Sequence, residues 1–290
     1  DYAHAELIEA TLEMKELAKS IDWKRSWQEQ LGELPTHHPT AENYYQTFGD
    51  VWTTSRQQAI DADLVTWPDF PIDFVPIPRS DRQASKALYY LYYRCPPPFG
   101  YHDSHQYFVP PCDPDMSPEE QEAVLRSTND AQIKLNHVVR HAGLGHHDQN
   151  YNAFRAESRV GQMAGTDCAA RGAMFCSGSL VEGWACYATE LMEEIGALTP
   201  LQRLSEAQTR LRMAARAVAD TAIHSGEFSI ERAARFYRDE AGMPASAALA
   251  EAVKNSMFPG AAVMYLAGTA GIDELRRAME EKEGADFSLK

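Results

Sequence analysis

The sequence has no CxxC pair, no run of eighteen apolar residues, no basic cluster and no internal repeat. Each absence removes a class of function. Its five cysteines are Cys95, Cys112, Cys168, Cys176 and Cys186. An odd count without paired spacing argues against a disulfide framework or a thiolate zinc site, and favours reduced thiols in a cytoplasmic protein. The longest apolar candidate, 260–268, is too short to cross a bilayer, and no secretory leader is visible. The formal net charge of −15 repels nucleic acid and anionic membranes, so neither is expected as a partner. A peptide or a small molecule remains as the expected substrate. A homo-oligomer is compatible with the sequence.

What is present suffices for a core: 290 residues, 44% of them hydrophobic. Leu7, Ile8, Leu12 and Leu17 return at helical spacing over 3–20. A short helix is expected up to Leu31, and Thr40 can cap another through about Ala62. His37 and His38 stand in a proline-bounded loop and read as loop residues. From Trp67 to Pro114 prolines recur too often for helix. Phe74-Val75, 87–93 and 107–109 read there as short strands, the tyrosines either packing in a two-sided strand or lining a cleft. Ser117-Pro118-Glu119-Glu120 starts a helix, with a capping serine, proline at the first position and acids on the positive end. Helices are expected at roughly 152–174, 179–195, 200–225, 229–241, 245–257 and 271–284. The expected fold is mainly α: one α-rich domain over 1–290, with a β-containing insertion at 67–114 and a helical core at 117–290 that carries the site.

Chemistry concentrates at 140–150, where His141, His146 and His147 follow Arg140, with His137 one turn upstream. A catalytic zinc takes three protein ligands and a water, and imidazole is its usual nitrogen donor. His137 and His141 have the four-residue spacing of a helical metal pair, but Val138 stands where the general base would be. His141 and His146 are five apart, so a break at Gly143–Gly145 is needed to bring them together.

Glu182 closes the sequence Ser179-Leu180-Val181-Glu182, which reads as a capping box. Arg212, Arg216, Asp220 and His224 recur every four residues. That spacing suits a solvated ion-pair ladder, or an Asp220 that orients His224 toward a reacting centre. Sequence leaves both open.

In order along the chain stand Gly145-His146-His147-Asp148-Gln149, Glu182-Gly183-Trp184-Ala185-Cys186-Tyr187, Asp220-Thr221-Ala222-Ile223-His224, and the segment from Pro259 to Gly268 that holds Tyr265. Together they resemble a bacterial domain-of-unknown-function family related by its motifs to the gluzincin metallopeptidases. The family pattern is roughly His-Glu-x-x-Pro-Gly-His-His, then Glu-Gly-Trp-Ala-x-Tyr, then a Pro-Gly-Gln-Ala-x-x-Tyr segment. The resemblance implies a multi-helix gluzincin-like domain, Glu182 as a carboxylate ligand, His146 or His147 as an imidazole ligand, and Tyr265 with His224 at the substrate. It also implies metal-assisted hydrolysis of a peptide or related amide. Here Arg140 replaces the first histidine of the pattern, His141 the glutamate and Leu144 the proline, and members of the family are longer.

Two functions follow. The first is a metal-dependent hydrolase, zinc being the expected ion, with a rebuilt ligand set drawn from His141, His146, His147 and Glu182. His141, Arg140, His224 and Tyr265 are its catalytic candidates. The second is a metal-free enzyme or ligand-binding protein on a degenerate peptidase scaffold, where Arg140 beside the histidines receives a small acidic metabolite.

Overall fold

The computed structural model describes residues 2–67, 69, 71–85, 105–164 and 172–289, without the side chains of 84, 85, 163, 164 and 172–177. Helices dominate. In chain order they are α1 (Tyr2–Ile21), α2 (Trp27–Leu31), α3 (Tyr44–Asp61), α4 (Arg82–Ser85), α5 (Pro118–Ser127), a π-helix (Gln132–Ala142), α6 (His146–Phe154), α7 (Arg159–Ala164), α8 (Gly172–Glu194), α9 (Pro200–His224), α10 (Ile230–Ala241), α11 (Ala245–Ser256) and α12 (Val263–Glu283). Strands β1 (Ile72–Pro76) and β2 (His105–Val109) pair in parallel, with Ile72 opposite His105 and Phe74 opposite Tyr107. The fold is therefore mainly α with a small β element, as the alternation of helical patterns and proline-rich sequence predicts. The expected strand at 87–93 lies outside the described residues.

Two compact units divide the chain, the first formed by 1–32, 178–186 and 198–287, the second by 33–177, 187–197 and 288–290. In the first, α1 packs along α9. Leu7, Met14 and Ala18 meet Leu204, Leu211, Ala215 and Val218, all buried. These positions repeat every three, four or seven residues, which lines one helix face, and the alanines permit close approach. α10 and α11 add Ala233, Tyr237, Ala248 and Ala252 to the same core. The start of α9 is set by Thr199, whose side chain accepts from the Gln202 N–H while the Gln202 side chain accepts from the Thr199 N–H. This reciprocal cap satisfies two helix-end donors.

The core of the second unit gathers Tyr44 and Phe48 of α3, Val109, Cys112, Leu125, Ile133 and Val138. Phe48 meets Tyr44 edge-on at 5.3 Å and Phe74 at 5.6 Å, so β1 lies against α3 through aromatic rings. Lys134 is buried in this unit at 7% exposure. Its Nζ donates to Ser55 Oγ at 3.0 Å and to Gln58 Oε1 at 2.9 Å, joining the π-helix to α3.

Two expectations change. Ser179 is no cap: α8 begins at Gly172, so Glu182 lies inside a helix and its capping-box letters are incidental. The last long helix starts at Val263, not near 271. Gly268 and Gly271 disguise that start, because glycine is a poor helix former. Gly268 is there for another reason: a Cβ on it would sit 1.9 Å from Ser179 O, and one on Gly183 would sit 2.3 Å from the Gly268 carbonyl carbon. α8 and α12 thus touch backbone to backbone, closed by Thr269 Oγ1 toward Gly183 O at 3.4 Å.

In a free helix, Gly268→Ala would gain about 1 kcal/mol from propensity. Here the added methyl meets a carbonyl that cannot rotate away. Overpacking of this kind costs roughly 1–3 kcal/mol or more. The expected outcome is a lower urea midpoint at unchanged slope; a midpoint equal to or above that of the native chain refutes the tight crossing.

Candidate functional site

The histidine stretch is built by a helix with one residue too many per turn. Gln132–Ala142 is π-helical, a form that is rare and concentrated at functional sites. Asn129 Oδ1 accepts from the Gln132 N–H at 3.1 Å near its start. At its end Trp52 Nε1 donates to Ala142 O at 2.9 Å, so α3 fixes where the helix stops. The chain then folds back on itself: the Gly145 N–H donates to Val139 O at 2.8 Å, and the Asp148 N–H to Gly143 O at 3.1 Å. A Cβ on Gly145 would come within 2.0 Å of Arg140 O, and one on Gly143 within 2.9 Å of Val138 O. Only glycines allow this return.

The return brings together residues that a straight helix would separate. The His141 and His146 rings lie 5.2 Å apart between centroids, and Arg140 is buried beside both at 8% exposure. His141 Nδ1 lies 2.5 Å from Asn136 O. A carbonyl only accepts, so this nitrogen carries the proton and Nε2 keeps its lone pair. Burial, then the Arg140 guanidinium, then the His146 ring hold His141 well below the ordinary imidazole pKa. Burial and Arg140 push His146 down to about 3. Both are neutral at physiological pH.

The other histidines have different company. His137 Nδ1 pairs with Tyr107 OH at 2.9 Å, and its ring meets Phe48 edge-on at 5.5 Å. Burial lowers its pKa to about 4. His147 stacks near His105 of β2, 5.4 Å between centroids. Asp148, the next residue, is 3% exposed, and burial raises its carboxyl to about 7 against a single side-chain hydrogen bond from Asn152.

Glu182, His224 and Tyr265 belong to the first unit, whereas Arg140, His141, His146 and His147 belong to the second. Glu182 is half-buried within α8. The repeat from Arg212 to His224 is not a solvated ladder, because Arg216 and Asp220 are 5% and 2% exposed. Asp220 accepts from the backbone N–H groups of Gly260 at 3.0 Å and Ala262 at 2.8 Å. It thereby moulds the turn before α12. His224 Nε2 contacts Asn255 O at 3.1 Å and lies 3.5 Å from Asp220. The Arg216 guanidinium stacks 4.2 Å over the Tyr265 ring and pairs with Glu251 at 2.7 Å. These contacts bind α9, α11 and α12 to one another.

Sequence reasoning missed Tyr107, Asn136 and Trp52, which orient the site. Trp52 and Tyr107 sit in ordinary helical and strand patterns, so only the three-dimensional return reveals their roles. A catalytic zinc would need a third protein ligand beside His141 and His146. Among the described residues no three His, Cys, Asp or Glu side chains converge, and His141 and His146 supply only two nitrogens. The cluster does offer a guanidinium that can donate to a carboxylate, beside a neutral His146 with one ring N–H and a His141 whose remaining nitrogen is an acceptor.

The family pattern described as "Bacterial protein of unknown function (DUF885)" matches residues 1–290. No curated protein matches the chain. Two solved structures share its fold. A "putative lipoprotein of unknown function" from Shewanella oneidensis superposes with a TM-score of 0.80 at 20% identity, covering 100% of this chain and 51% of its own. A "putative lipoprotein" from Colwellia psychrerythraea gives 0.76 at 19%, covering 99% of this chain and 46% of its own. The chain thus spans about half the length of either. Among the described residues no helix is long and apolar enough to cross a membrane.

The buried histidines dictate a pH response. Between their lowered pKa values and about 6.5 the unfolded chain takes up protons that the folded one refuses, so stability falls as pH drops below 6.5. His137, at about 4, contributes on the order of 3 kcal/mol of this loss. Asp148 acts in the opposite sense between about 4 and 7, which makes a differential measurement necessary. In urea unfolding from pH 4 to 8, His137→Asn is expected to flatten the acid loss relative to the native chain. Parallel curves would show that His137 is not buried neutral.

Proposed function

Because the chain belongs to this bacterial family of unknown function, DUF885, we propose that it binds, and acts on, a small carboxylate-bearing compound at Arg140, His141 and His146, on a scaffold of gluzincin-like ancestry. The observation that carries this reading is the burial of a guanidinium beside two neutral imidazoles brought to 5.2 Å by the glycine return. The Arg140 charge that depresses the protonation of both rings opposes a dication and favours an anion at the same spot. A guanidinium can take a carboxylate with two parallel hydrogen bonds, and low exposure strengthens them.

The second reading is a metal-dependent hydrolase of a peptide or other amide bond. In its favour, His141 presents an unprotonated Nε2 beside a second neutral imidazole, the form in which histidine binds zinc. Glu182 is the carboxylate ligand in that reading, with Tyr265 and His224 at the substrate. Compartment does not decide between the two. The odd cysteine count favours a reducing cytoplasm, whereas an exported, lipid-anchored protein would accord with the description of the two structural relatives as lipoproteins.

Calorimetry on chelator-treated protein separates the readings. Succinate or a short acidic peptide is expected to bind, and Arg140→Gln to weaken it by about 30-fold or more, the cost of losing one partner of a buried charge pair. Arg140→Lys keeps the charge but not the fork, and is expected to recover only part of the affinity. If no carboxylate binds while zinc binds stoichiometrically and Glu182→Ala abolishes it, the first reading fails and the second stands.

A further inference from the structure

Lys134 has no part in the site described above, yet its surroundings are unusual for a lysine. The residue is 7% exposed, and its hydrogen-bond partners are Ser55 Oγ at 3.0 Å and Gln58 Oε1 at 2.9 Å, both uncharged. Among the described residues no carboxylate pairs with it. Two acceptors match the two N–H bonds of a neutral amine and leave the nitrogen lone pair uncommitted. An ammonium would instead bury a third donor that no acceptor among the described residues receives. Burial accordingly lowers the pKa of Lys134 to about 8.

We propose that Lys134 is a carbamylation site, where the buried amine reversibly takes up carbon dioxide and the product is held by Ser55 and Gln58. The depth of the side chain selects the electrophile. A small uncharged molecule reaches such an amine without opening the unit, and an anionic or bulky carbonyl compound does not. In the reaction the nitrogen lone pair attacks the carbon of carbon dioxide and a nitrogen–carbon bond forms. One carbon–oxygen π bond opens to place the negative charge on oxygen, and the nitrogen gives up one proton to solvent. The remaining N–H still has an acceptor. Ser55 and Gln58 can also reverse their roles, because a hydroxyl and a carboxamide donate as well as accept. Ser55 Oγ now donates to Val51 O at 2.6 Å, and Gln58 keeps an amide N–H group for a carbamate oxygen. A carboxylate in either place would have neutralised an ammonium and could not have held the product.

The test uses the folded chain in 13C-bicarbonate at pH 8. Carbon-13 NMR reads carbamate directly, and ethylation with a trialkyloxonium salt followed by peptide mapping locates it. One carbamate per chain on the peptide containing Lys134 is expected. It should be lost in Lys134→Met and reduced at least fivefold in Gln58→Leu at the same bicarbonate concentration. A signal that maps only to the α-amine or to exposed lysines such as Lys19 overturns the proposal, as does a signal that survives in Lys134→Met. Absence of any adduct on Lys134 at saturating bicarbonate also overturns it. Mapping on the native chain decides the matter even if a variant does not fold.

Discussion

The approach of the Gly145 backbone to the Arg140 carbonyl governs the second unit. Without it the π-helix would run on, and His146 would leave on another face from His141. With it, two imidazoles and a guanidinium share a volume that a regular helix cannot supply. The return is held from both sides, by the Gly145 N–H on Val139 O and by the Trp52 indole on Ala142 O. Electrostatics then follow from position. Rings excluded from water beside a positive charge stay neutral, and a neutral ring beside a guanidinium serves as donor or ligand rather than as a second cation.

Much of the helical framework was legible because amphipathic spacing is a local property. Leu7 with Leu17, the capping residue Ser117, and the α10 and α11 patterns all announce themselves within a turn or two. Glycines at 143 and 145 signalled a break, but nothing local says that the break is a reversal sharp enough to pair His141 with His146. Capping letters misled at Ser179, since a capping box is also a permissible run of letters inside a helix. Gly268 misled in the opposite direction. It reads as a helix weakener and is in fact the residue that lets two backbones touch. Tyr107 and Asn136 were invisible as site residues, because their partners are assigned by packing over distances that one-dimensional periodicity does not encode.

The first unit uses its buried charges differently. Asp220 spends both oxygens on backbone N–H groups, and Arg216 divides itself between Glu251 and the Tyr265 ring. A buried carboxylate held by two backbone N–H groups is costly to disturb, because removing either partner leaves the charge unsatisfied. Regular four-residue spacing on α9 therefore records a scaffold for the turn before α12, with His224 adding a contact to Asn255. Identical letters on an exposed helix would be a string of weak surface pairs. Burial alone makes the difference.

The π-helix has a bearing on how this site could change over generations. Its ladder closes across five residues where an α-helix closes across four, so it accommodates a surplus residue without lengthening the path between Asn129 and the Trp52 indole. Loss of one residue from 132–142 would let the segment relax to the commoner ladder while its ends stayed in place. Side chains inside the segment would then turn about the axis, by up to roughly 100°, relative to the fixed ends. Chemistry at this position could thus be exchanged in one step of sequence length, with the surrounding core intact, where substitution would need several coordinated changes.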